Sequence, residues 1–171
     1  IYTISYEKKI YDINTISQSA FQGCENLGSI FIPNTITTIK KYAFSGITAN
    51  LYIQYDSRPS GFHALYWNSN RDSKDESKRT VYWGVIGMDQ IGDFTYIFKN
   101  DRTAIAAEYN GNTSLGSVTI PDTVSYRESS ESTVTVDYTV TELGDELFAT
   151  GMMSLISFSS IKLPANLKKI G

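Results

Sequence analysis

The sequence has few of the side chains that commonly carry catalysis or hold metals. It contains one cysteine, Cys24, and one histidine, His63, in 171 residues. A single cysteine excludes an internal disulfide, and this pair does not make a zinc site, which takes several such ligands. A catalytic dyad needs a base held by a third group, and no G-x-S-x-G nucleophile turn is present. We therefore expect no catalytic residue, no cofactor and no metal site, and we expect His63 to be a surface residue.

Charge and long apolar runs are also scarce. Charged residues make up 19% of the chain and the net charge is −3, which argues against nucleic-acid binding by bulk electrostatics. No stretch approaches the roughly 20 apolar residues of a membrane-spanning helix, so we expect no membrane insertion of this chain. Hydrophobic residues, at 41%, are enough for a packed core. The abundant tyrosine and threonine favour β-strands over helices.

The sequence does contain a repeat with a constant spacing. Segment 16–23, ISQSAFQG, recurs as segment 39–46, IKKYAFSG, and a looser copy begins at Leu143. A fixed period of roughly 20 to 50 residues indicates stacked repeats, in which each copy buries the apolar edge of its neighbour.

The pattern within one copy predicts its local structure. Segment 30–32, Ile-Phe-Ile, is a short strand by its composition, with Phe31 pointing outward and its two neighbours inward. Pro33 suits the end of that strand because proline has no backbone N–H to donate. Phe21 should fill the coil opposite the strand. Gly23 and Gly46 should form tight corners, since glycine tolerates positive φ.

Residues 16–39 resemble the BspA-like leucine-rich repeat family, with the motif I-x-x-x-A-F-x-G-C-x-x-L-x-S-I-x-I-P-x-x-I-x-x-I. They match it from end to end. The resemblance implies a β-rich solenoid of right-handed leucine-rich-repeat coils with flanking β-hairpins and few or short helices. Cys24 stands at the motif's cysteine position, which implies a buried packing residue.

Residues 57–84 resemble the segment S-x-P-S-G-W…W-N-S…V-x-W-G that often ends arrays of this family, with Phe62 in place of the first tryptophan. That resemblance implies that Trp67, Tyr82 and Trp83 cap the last coil and pack on it. The alternative is an exposed aromatic platform for a sugar ring or a protein. The charged run 71–79 fits a solvated loop. Segment 68–79 lacks the glycine and glutamate of an EF-hand calcium loop at its sixth and twelfth places.

The second half of the chain contains further strand patterns. Segments 94–98 and 103–107 predict a hairpin about a turn at 100–102, and segments 124–126 and 134–140 predict another across 127–133. Segment 117–121 echoes the strand-then-proline ending of the repeat. Five positions of the first hairpin and repeat recur in this half, all at the same offset. They are Tyr11, Ile13, Ile16, Ala20 and Phe21, matched by Tyr138, Val140, Leu143, Leu147 and Phe148.

These correspondences predict two modules. Residues 1–87 would form a hairpin, leucine-rich repeats and a capping segment. Residues 88–171 would form a β-hairpin region and the start of a second array. The ending 167–171 should open another coil, which predicts that the chain is a piece of a longer array or that its end packs on a neighbour.

The leading hypothesis for function is a non-catalytic module for protein binding or adhesion, secreted or at a cell surface. The family resemblance implies an extracellular or cell-surface location and a protein partner such as a host extracellular matrix protein; no nucleic acid is expected. The alternatives are a carbohydrate-binding module that uses exposed aromatics, with a glycan as partner, and a purely structural spacer. The candidate binding surface consists of Phe31, Tyr52, Tyr66, Trp67, Tyr82 and Trp83. The N-glycosylation acceptor at 112–114 matters only in a secretory pathway.

Overall fold

The computed structural model describes residues 3–6, 9–68, 80–111, 116–129, 131–145, 147–148 and 158–171. The chain divides into two compact units, Ile1–Gly84 and Val85–Gly171. The predicted modules, 1–87 and 88–171, have a boundary close to this division and stay a prediction. Every regular element in the described residues is a strand, so the β-rich, repeat-based part of the expected fold is confirmed. Closure of the repeats into a right-handed solenoid stays a prediction.

No helix in the described ranges has the length and apolar character that crossing a membrane would require.

The first unit opens with an antiparallel hairpin of β1 (Thr3–Tyr6) and β2 (Lys9–Asp12), in which Thr3 lies opposite Asp12. The hairpin predicted before the first repeat is therefore present.

A short parallel ladder then joins three copies of the repeat. Strand β3 (Thr15–Ile16) pairs with β5 (Thr38–Ile39), so that Ile16 lies opposite Ile39, and Ile39 forms a parallel bridge with Phe62. The amide of Lys40 donates to the carbonyl of Ile16 at 3.0 Å, and the amide of His63 donates to that of Ile39 at 2.8 Å. The spacing from Ile39 to Phe62 equals that from Ile16 to Ile39, so Phe62 stands at the start of a third copy.

A longer parallel ladder forms a second side of the same copies. It consists of β4 (Ser29–Ile32), β6 (Asn50–Ile53) and β7 (Val81–Trp83), in that order. Strand β4 ends just before Pro33, as the sequence predicts. Ile32 and Ile53 are 1% and 0% exposed, which confirms that this strand position faces the core.

The second copy is better buried than the first. Phe44 is fully buried and stacks on the half-buried Phe21, with 5.6 Å between ring centroids. The expectation that Cys24 is buried is wrong, because its side chain is exposed. The equivalent residue of the second copy, Ile47, is buried. The second copy lies between two others in the ladders, whereas the first has a described ladder neighbour on one side.

The corners between the two ladders are tight turns that recur with the repeat. Gly23 and Gly46 have φ of +73° and +76°, which confirms the predicted glycine corners. Shortly before each of them, Ser19 and Tyr42 also adopt positive φ, at +58° and +59°. The backbone therefore repeats more closely than the side chains do.

The second unit is built on a six-stranded sheet. Its main path runs β12-β13-β10-β9-β8, with β15 also paired to β13, and a separate pair joins β11 to β14. The strands are β8 (Val85–Ile91), β9 (Phe94–Lys99), β10 (Thr103–Tyr109), β11 (Ser117–Thr119), β12 (Thr123–Tyr126), β13 (Val136–Leu143), β14 (Ser160–Lys162) and β15 (Lys169–Ile170).

Both hairpins predicted for this unit are present, as the antiparallel pairs β9–β10 and β12–β13. One boundary differs from expectation. The strand predicted to begin at Val134 begins at Val136, and Val134 is instead a 66% exposed loop residue.

Parallel ladders also occur in the second unit. Ala106 of β10 lies opposite Leu143 of β13, and Leu143 lies opposite Ile170 of β15. Val118 of β11 lies opposite Ile161 of β14, so the strand-then-proline segments 117–121 and 160–164 are in register. The pairing that defines the first unit is therefore used again here.

Replacing Phe44 by alanine should lower the free energy of unfolding by about 3–5 kcal/mol, because a fully buried ring leaves a cavity. Phe21→Ala should cost less, about 1–2 kcal/mol, since that ring is only partly buried. Urea melts of both variants measure the difference. Equal losses would show that the first copy is packed as tightly as the second.

Gly61 should not tolerate alanine. A Cβ atom at this position would lie 2.1 Å from the backbone oxygen of Thr37, so the short ladder must shift at a cost of about 1–3 kcal/mol. Gly28→Ala is the matched control, because its Cβ would meet nothing within 4 Å. Thermal melts that leave the two variants equally stable would contradict the close approach.

Candidate functional site

The outward face of the long ladder carries a row of three aromatic side chains. The register places Phe31 beside Tyr52 and Tyr52 beside Tyr82. The two tyrosine rings stack with centroids 5.1 Å apart and planes 5° apart. Tyr52 is 3% exposed and Phe31 is 38% exposed. Tyr52, which we expected at the contact surface, is therefore covered, and Phe31 presents the free ring of the row.

Phe31 lies on an edge strand. Among the described residues β4 pairs with β6 alone, so one side of its backbone has no partner strand there. Edge strands with unpaired backbone groups can add a strand from another chain. An exposed aromatic on such an edge has the chemistry that protein interfaces favour.

The tryptophans of the capping segment are packed against other rings. Trp67 is 5% exposed, and its ring centroid lies 5.3 Å from that of Phe62 and 5.9 Å from that of Trp83. Trp83, Tyr66 and Tyr82 are half-buried. Trp67 is therefore a packing residue, the first of the two alternatives for the capping segment, and its ring offers no open face to a sugar. The role of these aromatics in binding stays a prediction.

A shallow cavity of about 350 Å³ lies along the short ladder. We call it the basic groove, and its lining residues are Gln18, Thr38, Ile39, Lys40, Lys41, Gly61 and His63. The groove arises because the residue after each ladder position points outward in every copy. Stacking thereby places Lys40 of the second copy beside His63 of the third.

His63 has a defined place at the rim of this groove. Its Nδ1 accepts hydrogen bonds from the backbone N–H of Tyr66, at 3.2 Å, and of Leu65, at 3.4 Å. Its ring stacks on that of Tyr66, with 5.5 Å between centroids. Because Nδ1 acts as an acceptor, the proton of the neutral imidazole lies on Nε2. The half-buried His63 thus stabilises the turn and keeps a donor for a ligand.

A second cavity, of about 520 Å³, lies in the second unit. It is lined by Met88, Asp89, Ser125, Tyr126, Arg127 and Thr135. It contains one residue of each charge, and the Tyr126 ring stacks on Phe98 with centroids 4.1 Å apart. The face of the Tyr126 ring that stacks on Phe98 is therefore covered within the protein.

A polar cluster fastens the β12–β13 hairpin. Glu128 accepts hydrogen bonds from the hydroxyl of the fully buried Tyr138 and from the Arg102 guanidinium. The tyrosine hydrogen bond is the main cause that lowers the pKa of Glu128, burial opposes it, and the Arg102 charge adds to it. Burial, followed by the Glu128 contact, raises the pKa of Tyr138 to about 12. The cluster ties the loop at Glu128 to strand β13 and to the turn before β10.

Nothing in the described part of the chain gathers three or more His, Cys, Asp or Glu side chains in a metal-binding arrangement. The charged run 71–79, most of the calcium-like segment 68–79 and the acceptor at 112–114 lie outside the described residues.

The repeat copy that begins at Phe62, and the groove beside it, are absent from the expectations drawn from the sequence. The pattern was present, because segment 62–67, FHALYW, aligns with segment 39–44, IKKYAF, at the spacing of the first two copies. The resemblance to an array-ending segment instead assigned these residues to a cap. Only the observed ladder shows that they also continue the repeat.

Residues 3–64 match the family model described as BspA type Leucine rich repeat region (6 copies). The match supports the resemblance on which the repeat was recognised, and it does not extend into the second unit. The chain has no significant match among curated proteins or among solved structures.

Glu128→Gln should flatten the acid limb of the stability profile. The pKa of Glu128 is lower in the folded protein, so its contribution is present above the unfolded value of about 4.3 and is lost as pH falls through the folded pKa. Denaturant melts between about pH 5 and pH 3 should therefore show a steeper loss in the wild type than in the variant. Glu131→Gln, on the same loop but outside the cluster, is the control. Parallel profiles for wild type and Glu128→Gln would contradict the assignment.

Proposed function

We propose that the chain is a non-catalytic module that binds a protein partner in adhesion, because residues 3–64 match the model of a BspA-type leucine-rich repeat region. The proposal places it outside the cell, secreted or at the cell surface, where host extracellular matrix proteins are the partners to test. The observation that carries it is the exposed Phe31 on edge strand β4. Stacked repeats offer an extended surface of this kind for protein contact.

The geometry of the edge fits a protein better than a small molecule. A partner strand can pair with the open backbone of β4 while its side chains pack on Phe31. The register places Phe31 beside Tyr52, whose ring stacks on that of Tyr82, so Phe31 continues a row of aromatic residues along the ladder. Aromatic anchors dominate many protein interfaces.

The carbohydrate alternative has less support. A sugar platform needs an open aromatic face, whereas Trp67 is buried against Phe62 and Trp83. A spacer role fits the fold but leaves the exposed Phe31 unexplained. Protein binding is therefore the function that the described surface favours.

Binding of the purified chain to immobilised extracellular matrix proteins, measured by surface plasmon resonance, tests the proposal. We expect a saturable partner whose affinity falls about tenfold in Phe31→Ser, as for a central interface aromatic. Ile13→Ser is a matched control, since Ile13 is 37% exposed and also lies in the first unit. Circular dichroism should show both variants folded.

An equal loss of affinity in Phe31→Ser and Ile13→Ser would show that the contact does not lie on β4. Binding of glycans alone, abolished by Trp83→Ala, would favour the carbohydrate alternative. Absence of any partner across the panel would favour the spacer.

A further inference from the structure

We propose that the basic groove binds an acidic, extended segment of the protein partner, an inference that rests on the proposed function and names a second contact within it. The groove lies along the short ladder, whereas Phe31 lies on the long one. The two contacts can therefore be tested separately.

The charge of the groove is uncompensated within the described residues. Lys40 and Lys41 are both exposed, and neither forms an ion pair with a described residue. The lining contains no aspartate or glutamate. Two lysines side by side repel each other, so a carboxylate placed between them gains from both. The whole chain is acidic, with a net charge of −3, which makes this local reversal of sign distinctive.

The backbone explains why the charges gather here. Lys40 follows Ile39 in the ladder and His63 follows Phe62, so parallel stacking in register places the two side by side. Gly61 lines the groove without a side chain, and a Cβ there would strike the backbone of Thr37. Backbone therefore forms part of the floor of the groove, and the lining side chains other than Ile39 are cationic or polar.

His63 adds a directional donor at the same rim. Its Nδ1 is held by the backbone N–H groups of Tyr66 and Leu65, which leaves the Nε2–H free to donate to an oxygen acceptor. A carboxylate can accept this hydrogen bond and at the same time interact with the positive charges of the lysines.

Apolar groups next to the groove favour a peptide over a sulfated glycan. Leu65 is 63% exposed, and the Tyr42 and Tyr66 rings lie 5.3 Å apart beside the lysines, with Lys41 Nζ 5.9 Å from the Tyr42 ring centroid. A peptide can alternate acidic and apolar side chains along its length and so satisfy both kinds of surface. A sulfated sugar chain would leave Leu65 without a partner.

Fluorescence anisotropy with a short labelled peptide of alternating glutamate and leucine tests the assignment on the full chain. We expect saturable binding that weakens as salt rises from about 0.01 to about 0.15 M, because exposed charges are screened. The same peptide with glutamine in place of glutamate should bind at least about tenfold more weakly.

The double variant Lys40→Gln/Lys41→Gln should weaken binding of the glutamate peptide by about tenfold. Lys162→Gln/Lys168→Gln changes the net charge equally at two exposed lysines of the second unit and should leave binding within about twofold of wild type. The comparison separates a local site from a general effect of charge.

Three results would overturn the inference: equal loss in the two double variants, equal binding of the glutamate and glutamine peptides, or binding of heparin fragments without binding of the acidic peptide. The matrix-protein assay distinguishes these from failure of the proposed function. If a matrix protein binds with dependence on Phe31 and binds the groove variants as tightly as wild type, that result would support the proposed function and exclude only the role of the groove.

Discussion

The structure depends on parallel pairing of successive copies at one fixed spacing in the sequence. That pairing brings Ile16, Ile39 and Phe62 into one line, and the core follows from it because each inward side chain packs on its counterpart in the next copy. Phe21 on Phe44 is the clearest instance. The same pairing also determines the outward surface. The register of the strands places residues that are far apart in the sequence side by side, and no direct contact between their side chains is needed.

Sequence reasoning worked best where the copies were alike. The strand predicted at 30–32, its end at Pro33 and the corners at Gly23 and Gly46 followed from residue chemistry that leaves few alternatives. It failed for Cys24, since the motif specifies an average copy whereas burial depends on how many neighbours a given copy has. Strand alternation also did not give the low exposure of Tyr52, which is decided by tertiary packing.

The candidate site was partly predictable for the same reason. Phe31 was recognised as outward-facing from strand alternation. The basic groove was not, because its residues come from two copies, and the second of them, 62–67, had diverged so far that it resembled a capping segment. The Glu128 cluster likewise joins a turn, a loop and a strand whose separation in sequence, from Arg102 to Tyr138, gives no local pattern.

Lys40 and His63 follow equivalent ladder positions in the second and third copies, and this regular placement has a consequence for how such a surface can change. Adjacent ladder strands lie about 4.8 Å apart, so each copy contributes one outward position to a regular lattice, and that position makes little contribution to the core. A substitution there alters charge or hydrogen bonding at one lattice point while the inward rows stay as they are. Ligand recognition can therefore change one copy at a time, while the folding of the repeat array stays largely the same.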